Sequence, residues 1–425
     1  MELRKLSVVL LALLLAGMAM VPMVNAANTQ LNEEFVKKIE ANYVSENTAR
    51  IHATLALAEF AGLGALGEKE TWIGANVLSD PSIIYDVKGT RLFYLFTIEK
   101  KGQKVGEIKI AATKILGNSI ITIGPSNTSI QISKLEDYAR TEAGKHAKLG
   151  SSIKTQLVAY AYPLIGMAAW YTDNTTGLQQ KVIIDAYDYS VIPDRKPGFE
   201  GDRGIESYYE TYPLNQQSTF IDSWNTYDRW VKETTTSNPS LKWQKNQVIT
   251  ENMLNLFSTT QAGSKTVTEY KVLSPFTLTG AETTEWCTVG TAKMISDWYG
   301  ISRTQTAIAS RMGIPTSSPY RGATINEELN YYQGSQSSGG LGKPNSLDYY
   351  TINWADSKTE INNNRPFKVG NNGHARAMVG YIRSSSNGYT YFYFKDPSPL
   401  NQGSEYWEWF NELNPNFYNN HIKIR

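Results

Sequence analysis

The chain has 425 residues, with 41 Lys and Arg against 40 Asp and Glu and a formal net charge of +1. Such a length allows two domains with substantial cores, and the balanced charge excludes a strongly basic nucleic-acid binder. Aromatic residues are plentiful, 26 Tyr and 10 Trp, and Asn, Ser and Thr crowd the loops, a mixture that suits an extracellular protein.

At the N-terminus, Arg4 and Lys5 precede an apolar run from Leu6 to Val21, and Val24-Asn-Ala26 places small residues at the spacing of signal-peptidase cleavage. Residues 1–26 therefore read as a signal peptide cut after Ala26. A protein secreted or held at the extracellular cell surface is expected. The run is also close to the roughly 20 residues that cross a bilayer, so a membrane is a partner only if the segment is retained. Cys287 is the single cysteine, so no internal disulfide can form. An unpaired thiol in an oxidising space needs either burial or a task.

Residues 28–192 read as an α+β domain built on an antiparallel sheet. Phe35, Ile39 and Tyr43, then Ile51, Leu55 and Phe60, keep helical spacing from Asn28 to about Leu66, and Gly62 and Gly64 end it. Arg91–Ile98 and Val105–Ala111 flank the turn Lys100-Lys-Gly-Gln and predict a hairpin. Ser119–Gly124 is a further strand and Leu135–Lys148 a polar helix. Three more strands follow at Gln156–Tyr162, Gly166–Tyr171 and Lys181–Tyr187. The region carries no acidic pair, metal-ligand cluster or Gly-rich phosphate loop, so neither metal nor cofactor is expected. His52 and His146 have no evident partner and read as solvated or capping residues. A scaffold, an inhibitor or a binding module would each fit.

Composition shifts at Pro193. Asp194-Arg-Lys-Pro-Gly-Phe-Glu-Gly-Asp-Arg-Gly204 is charged and rich in Gly and Pro, so residues 193–244 read as a linker with a short helix near Ser223–Lys232. A proteolytic cut is expected here, where exposed chain is cleaved first.

The last domain, residues 245–425, centres on Glu282-Thr-Thr-Glu-Trp-Cys287-Thr-Val-Gly290. From Val289 the apolar residues Ala292, Met294, Ile295, Trp298 and Tyr299 keep a helical period, and Gly300 supplies the stop, so Cys287 lies on the first turn of a helix. Unpaired N–H groups and the positive helix end there favour thiolate, the reactive form. Further short helices are expected at Gln305–Met312, Ile325–Tyr332 and Ala355–Asn363.

A reactive thiol needs a base. Gly373-His374-Ala-Arg-Ala-Met-Val379 and Tyr389-Thr-Tyr-Phe-Tyr-Phe-Lys-Asp396-Pro397 read as strands joined by a turn containing Asn387-Gly388, a strong hairpin signal. A hairpin turning at residue 385 sets His374 opposite Asp396. A carboxylate there would accept one ring N–H of the imidazole, fixing its tautomer and turning the other nitrogen to the thiol.

Cys287 at the head of a helix, the run Gly373-His374-Ala-Arg-Ala-Met-Val-Gly380-Tyr and the strand ending Asp396-Pro397 resemble the papain-like cysteine peptidases. Within them the likeness is to bacteriocin-leader-processing (double-glycine leader) peptidases and their secreted relatives. The resemblance implies a helix carrying Cys packed on an antiparallel sheet and a polypeptide substrate. It implies Cys287 as nucleophile, His374 as general base and then acid, Asp396 as the orienting residue, and the Cys287 N–H as half of an oxyanion hole. The stretch Ile84–Phe96 resembles propeptides of secreted cysteine peptidases, which implies an N-terminal domain that inhibits its own catalytic domain. In one place the pattern departs. Such peptidases carry a Gln five or six residues before the Cys, and here those positions are Ala281 and Glu282. As the oxyanion-hole candidate, Glu282 could donate only if protonated; otherwise Trp286 or a nearby Asn donates, or the site is impaired. Two further readings stay open: a transamidase or amidase with the same three residues, and a non-catalytic surface binding protein on a peptidase-like fold.

Overall fold

A computed structural model describes residues 33–425 apart from 127, 212–215, 239–246, 259–268, 372, 385–387, 411–417 and 419. The expected signal peptide and Asn387 of the expected turn lie outside the described residues.

The first half of the chain folds as alternation and turn chemistry dictate. Its strands are β1 (Asn76–Val77), β2 (Ser82–Asp86), β3 (Arg91–Lys100), β4 (Gln103–Ala111), β5 (Ile120–Pro125), β6 (Lys154–Ala161), β7 (Leu164–Thr172) and β8 (Gln179–Asp185). Lys101 and Gly102 both adopt positive φ, the backbone that a two-residue hairpin loop demands, and Lys100 pairs with Gln103 across it. The second half supplies β9 (Glu269–Val272), β10 (Leu347–Tyr349), β11 (Phe367–Asn371), β12 (His374–Arg383), β13 (Thr390–Asp396), β14 (Ser404–Trp409) and β15 (Asn420–Lys423).

All these strands join one sheet of order β10-β15-β11-β12-β13-β14-β5-β4-β3-β2-β6-β7-β8, with β1 on β3 and β9 on β12. Every ladder is antiparallel except β2 with β6. The two halves meet where Trp407 and Glu408 of β14 pair with Ile123 and Thr122 of β5. Gly124 permits that approach, because a Cβ on it would lie 2.8 Å from the Cα of Tyr406. The fold is α+β, with helices laid on an antiparallel-dominated sheet.

One apolar core runs through both halves, from Phe35 to Ile424. Trp407 links them directly, since its indole N–H donates to the carbonyl of Ala65 at 2.8 Å. Each such large side chain, fully buried, contributes about 1.5–3 kcal/mol. Helix Glu46–Gly62 starts where the Ser45 hydroxyl accepts from the Thr48 N–H and is buried along most of its length. His52 on this helix is not solvated. It is 1% exposed, bonded through Nδ1 to Ser119 and through Nε2 to Asp228, because the neighbouring helix Gln217–Ser237 covers it. That second helix is longer than its expected core of Ser223–Lys232. Phe220, Trp224, Tyr227 and Val231 all reach the interior at helical spacing.

Candidate active site

The helix carrying the cysteine spans Cys287–Trp298, and Val289, Ala292, Met294 and Ile295 form its buried face. It sits directly on the end of β13, since a Cβ on Gly290 would lie 2.8 Å from the Cβ of Pro397. The preceding loop is clamped at several points. Ala281 donates to the Pro397 carbonyl at 2.8 Å and accepts from the Asn401 N–H at 2.9 Å. Gln305 donates to the Gly280 carbonyl at 2.7 Å and accepts from the Glu282 N–H at 3.0 Å. The first turn of the helix is thereby held against the strand end bearing Asp396.

His374 opens β12 and Asp396 closes β13, and His374 Nε2 lies 2.8 Å from Asp396 Oδ1. The pairing that brings them together differs from the straight cross-strand match expected. Ala377 pairs with Lys395 and Met378 with Phe394, and the register then slips between Met378 and Gly380. Asp396 thus falls opposite Arg376, and His374 reaches it from two residues along the same face. The offset is set nearer the turn, where Arg383 pairs with Thr390, and the irregularity near Val379 takes one residue of it back, bringing Asp396 closer to His374 than an unbroken ladder would.

Three donors converge on this carboxylate. Besides His374, Oδ1 receives the Ser398 N–H at 2.8 Å, and Oδ2 receives the Tyr406 hydroxyl at 2.7 Å. Burial alone would push Asp396 up, but the facing His374, with Arg376 and Tyr406 behind, holds it below the usual carboxylate range. Beneath it Arg376 is 0% exposed and paired with Glu408 at 2.8 Å.

Cys287 and His374 line the same cleft, which is completed by Tyr160, Asp185, Arg203, Thr283, Pro397 and others. The cysteine is only 4% exposed, and the Ala375 N–H is its backbone hydrogen-bond donor. Burial pushes the thiol well above its ordinary value, and the nearby Glu200 carboxylate pushes it further. This corrects the expectation of a thiolate favoured by the helix start. A helix end contributes about 0.3–1 kcal/mol, whereas full burial can move a group by about 3–5 pKa units at roughly 1.4 kcal/mol each. Desolvation wins while the site is covered.

The cover comes from the charged stretch after Pro193. Arg195 and Ile205 close its neck at 2.7 Å, Asp202 braces it by pairing with Arg195, and the Gly201 N–H donates to the Gly373 carbonyl at 2.9 Å. Glu282 lies elsewhere: its side chain is exposed, and the loop residues that line the cleft are Ala281, Thr283 and Thr284.

Sequence reasoning missed the supporting residues Tyr406, Arg376, Glu408, Gln305 and Lys368. A signal for some was present. Arg376, Lys368 and Glu408 are charges inside otherwise apolar strands, where burial requires a partner.

A cysteine-headed helix seated on an antiparallel sheet, beside a strand-borne His bonded to Asp, defines this half of the chain as related to the papain-like cysteine peptidases. More narrowly, residues 267–421 match the model of the Peptidase_C39 like family. No curated protein and no solved structure matches the chain.

Proposed function

We propose that the protein is a secreted cysteine peptidase made as an inhibited precursor, with Cys287 as nucleophile, His374 as general base and acid, and Asp396 as orienting residue. The observation that carries this reading is the 2.8 Å bond from His374 Nε2 to Asp396 in a cleft that His374 shares with Cys287. With Nε2 committed to the carboxylate, Nδ1 is the nitrogen available to the thiol. In the first step the imidazole takes the thiol proton as sulfur bonds to the scissile carbonyl carbon. The C–N bond then breaks, and the imidazolium gives its proton to the leaving amine. Water, deprotonated by the same ring, cleaves the thioester and restores the thiol. The Cys287 N–H supplies one donor to the oxyanion.

In the precursor, residues 28–192 and the loop after Pro193 keep the cleft closed, and a cut in the 193–244 stretch releases it. The N-terminal apolar segment directs export. The reading is tested with the full-length chain and a Cys287→Ala variant. The parent should cleave casein after limited proteolysis, and the alanine variant should cleave none under the same treatment. Equal cleavage by both would refute it.

A further inference from the structure

The loop between Arg195 and Ile205 does more than lie over the cysteine. Its tip threads between the two walls of the cleft. A Cβ on Gly201 would collide with the Glu285 carbonyl oxygen and lie 2.8 Å from Gly322 Cα on one wall. On the other wall the Gly201 N–H bonds to the carbonyl of Gly373, the residue before His374. Main chain that pairs with the cleft beside the reacting groups occupies the place of an extended substrate.

Glu200, next to that pairing, sends its side chain inward rather than to water. It is 2% exposed, and its Oε2 lies 2.5 Å from Lys368 Nζ, itself 0% exposed. The entrance is shaped for a long acid. Gly370 has no side chain, and a Cβ there would occupy the position of the Glu200 carboxyl. At the floor, Glu328 Oε1 lies 3.2 Å from the same Lys368 Nζ. Burial raises Glu328 to about 8 and the neighbouring Glu200 carboxylate adds to the rise, so with Glu200 in the pocket the lysine's charge goes chiefly to the shorter contact, Glu200. Glu200 adjoins Gly201, whose N–H bonds to Gly373, and Gly373 lines the cleft with Cys287 and His374, so the pocket opens beside the site. A buried lysine at the end of a side-chain-deep pocket is a costly arrangement unless an acid regularly fills it.

We propose that the Lys368–Gly370–Glu328 pocket is a specificity subsite selecting an acidic side chain in the substrate, and that Glu200 fills it as a built-in substrate mimic. The inference rests on the peptidase reading for the word substrate, but the pocket's preference is separable from it. An apolar residue there would leave the lysine with the longer contact to Glu328 in place of the 2.5 Å one to Glu200, and a basic one would face it. Glutamate matches the depth because Glu200 already spans it.

The test uses full-length Glu200→Ala and, in case truncation unsettles the fold, the isosteric Glu200→Gln. The readout is the rate at which iodoacetamide alkylates Cys287. Both variants should react at least tenfold faster than the parent. The peptide Pro-Gly-Phe-Glu-Gly-Asp-Arg, added in trans to either variant, should restore protection. A counterpart with alanine in place of the glutamate should need at least tenfold more peptide. Equal protection by the two peptides, or no rise in rate in either variant, overturns the subsite. Casein hydrolysis by the same samples separates the two ideas. Selective protection without hydrolysis leaves the acid pocket standing and sinks the peptidase. Hydrolysis with equal protection does the reverse.

Discussion

The ring of His374 meets the carboxylate of Asp396 on the diagonal of the β12–β13 ladder, at 2.8 Å, with Arg376 occupying the place straight across. That offset gives Asp396 two kinds of neighbour on one face. Toward the cleft it holds the imidazole, and toward the interior it meets Arg376 and Tyr406. Tyr406 donates to Asp396 and accepts from Arg376 at 3.0 Å, so it ties the carboxylate that His374 contacts to the buried Arg376–Glu408 pair. The geometry at the cleft therefore depends on charges a layer below it.

Tyr406→Phe should expose this dependence. The variant removes one of the donors holding Asp396 below its usual range, so its carboxyl rises toward the ordinary value. A group whose folded value is depressed contributes stability above its unfolded value and loses it as pH falls through the folded one. The variant should thus lose about 1.5–3 kcal/mol at neutral pH, the range of a hydrogen bond to a charged group, and lose less in strong acid. On the proposed peptidase function, the acid limb of kcat/KM after limited proteolysis should move to higher pH. Thermal melts and a pH–rate profile check both. A limb that stays in place would show that Tyr406 serves packing alone.

The pair beneath it predicts a larger effect. Arg376 is fully buried, stacks over the Phe394 ring at 4.2 Å and neutralises Glu408, which also receives the hydroxyls of Tyr162 and Tyr418. Arg376→Met leaves that carboxylate buried without its cation, and breaking such a pair costs about 3–5 kcal/mol. Adding Glu408→Gln removes the stranded charge and should recover a good part of the loss. Denaturant midpoints of the two single variants and the double variant measure the coupling. An additive double variant would contradict it.

The pocket at Lys368 sets a pH dependence of opposite sign to that of Asp396. Glu328 ordinarily ionises near 4.5 but is raised to about 8, mainly by burial. Between those values the folded chain holds a proton that the unfolded chain has released, so stability falls as pH rises through that window. Glu328→Gln mimics the protonated carboxyl. Its melting temperature should fall less than that of the parent between about pH 5 and pH 8. Parallel curves for the two proteins would mean that Glu328 does not carry the slope.

Much of this architecture is legible in the chain because local rules decide it. The β3–β4 hairpin follows from alternation around Lys101-Gly102, and the cysteine helix from an apolar period closed by Gly300. The approach of His374 to Asp396 follows from two strands and a turn. Nothing local announces that Glu200, Glu328 and Lys368 share a pocket, because they sit on a loop, a helix and a strand widely separated in sequence. The Asp194–Gly204 stretch shows why composition is ambiguous. Glycine and charge mark a flexible connector, yet here Gly201 supplies a positive φ and Asp202 braces Arg195, making a loop with a defined tip. The slip near Val379 was equally hidden, since a bulge leaves the hydrophobic run unbroken.

The second oxyanion donor is the last consequence of the geometry. Glu282 has an exposed side chain, and its backbone N–H is already spent on Gln305. Thr283, by contrast, lines the cleft with Cys287, and its hydroxyl is buried without a partner in the structure described. Buried polar groups are almost always paired, so an orphan beside a reacting group is a natural place for a substrate oxygen. In the enzyme freed of its loop, Glu282→Gln should change kcat by less than about threefold, far short of the roughly 10²–10³ that one oxyanion donor supplies. Thr283→Val, nearly the same shape without the donor, should lower kcat by about 10²-fold with little change in KM. Thr283→Ser, which keeps the hydroxyl, should restore most of it. A valine variant as fast as the parent, or a glutamine variant a hundredfold faster, would return the role to position 282.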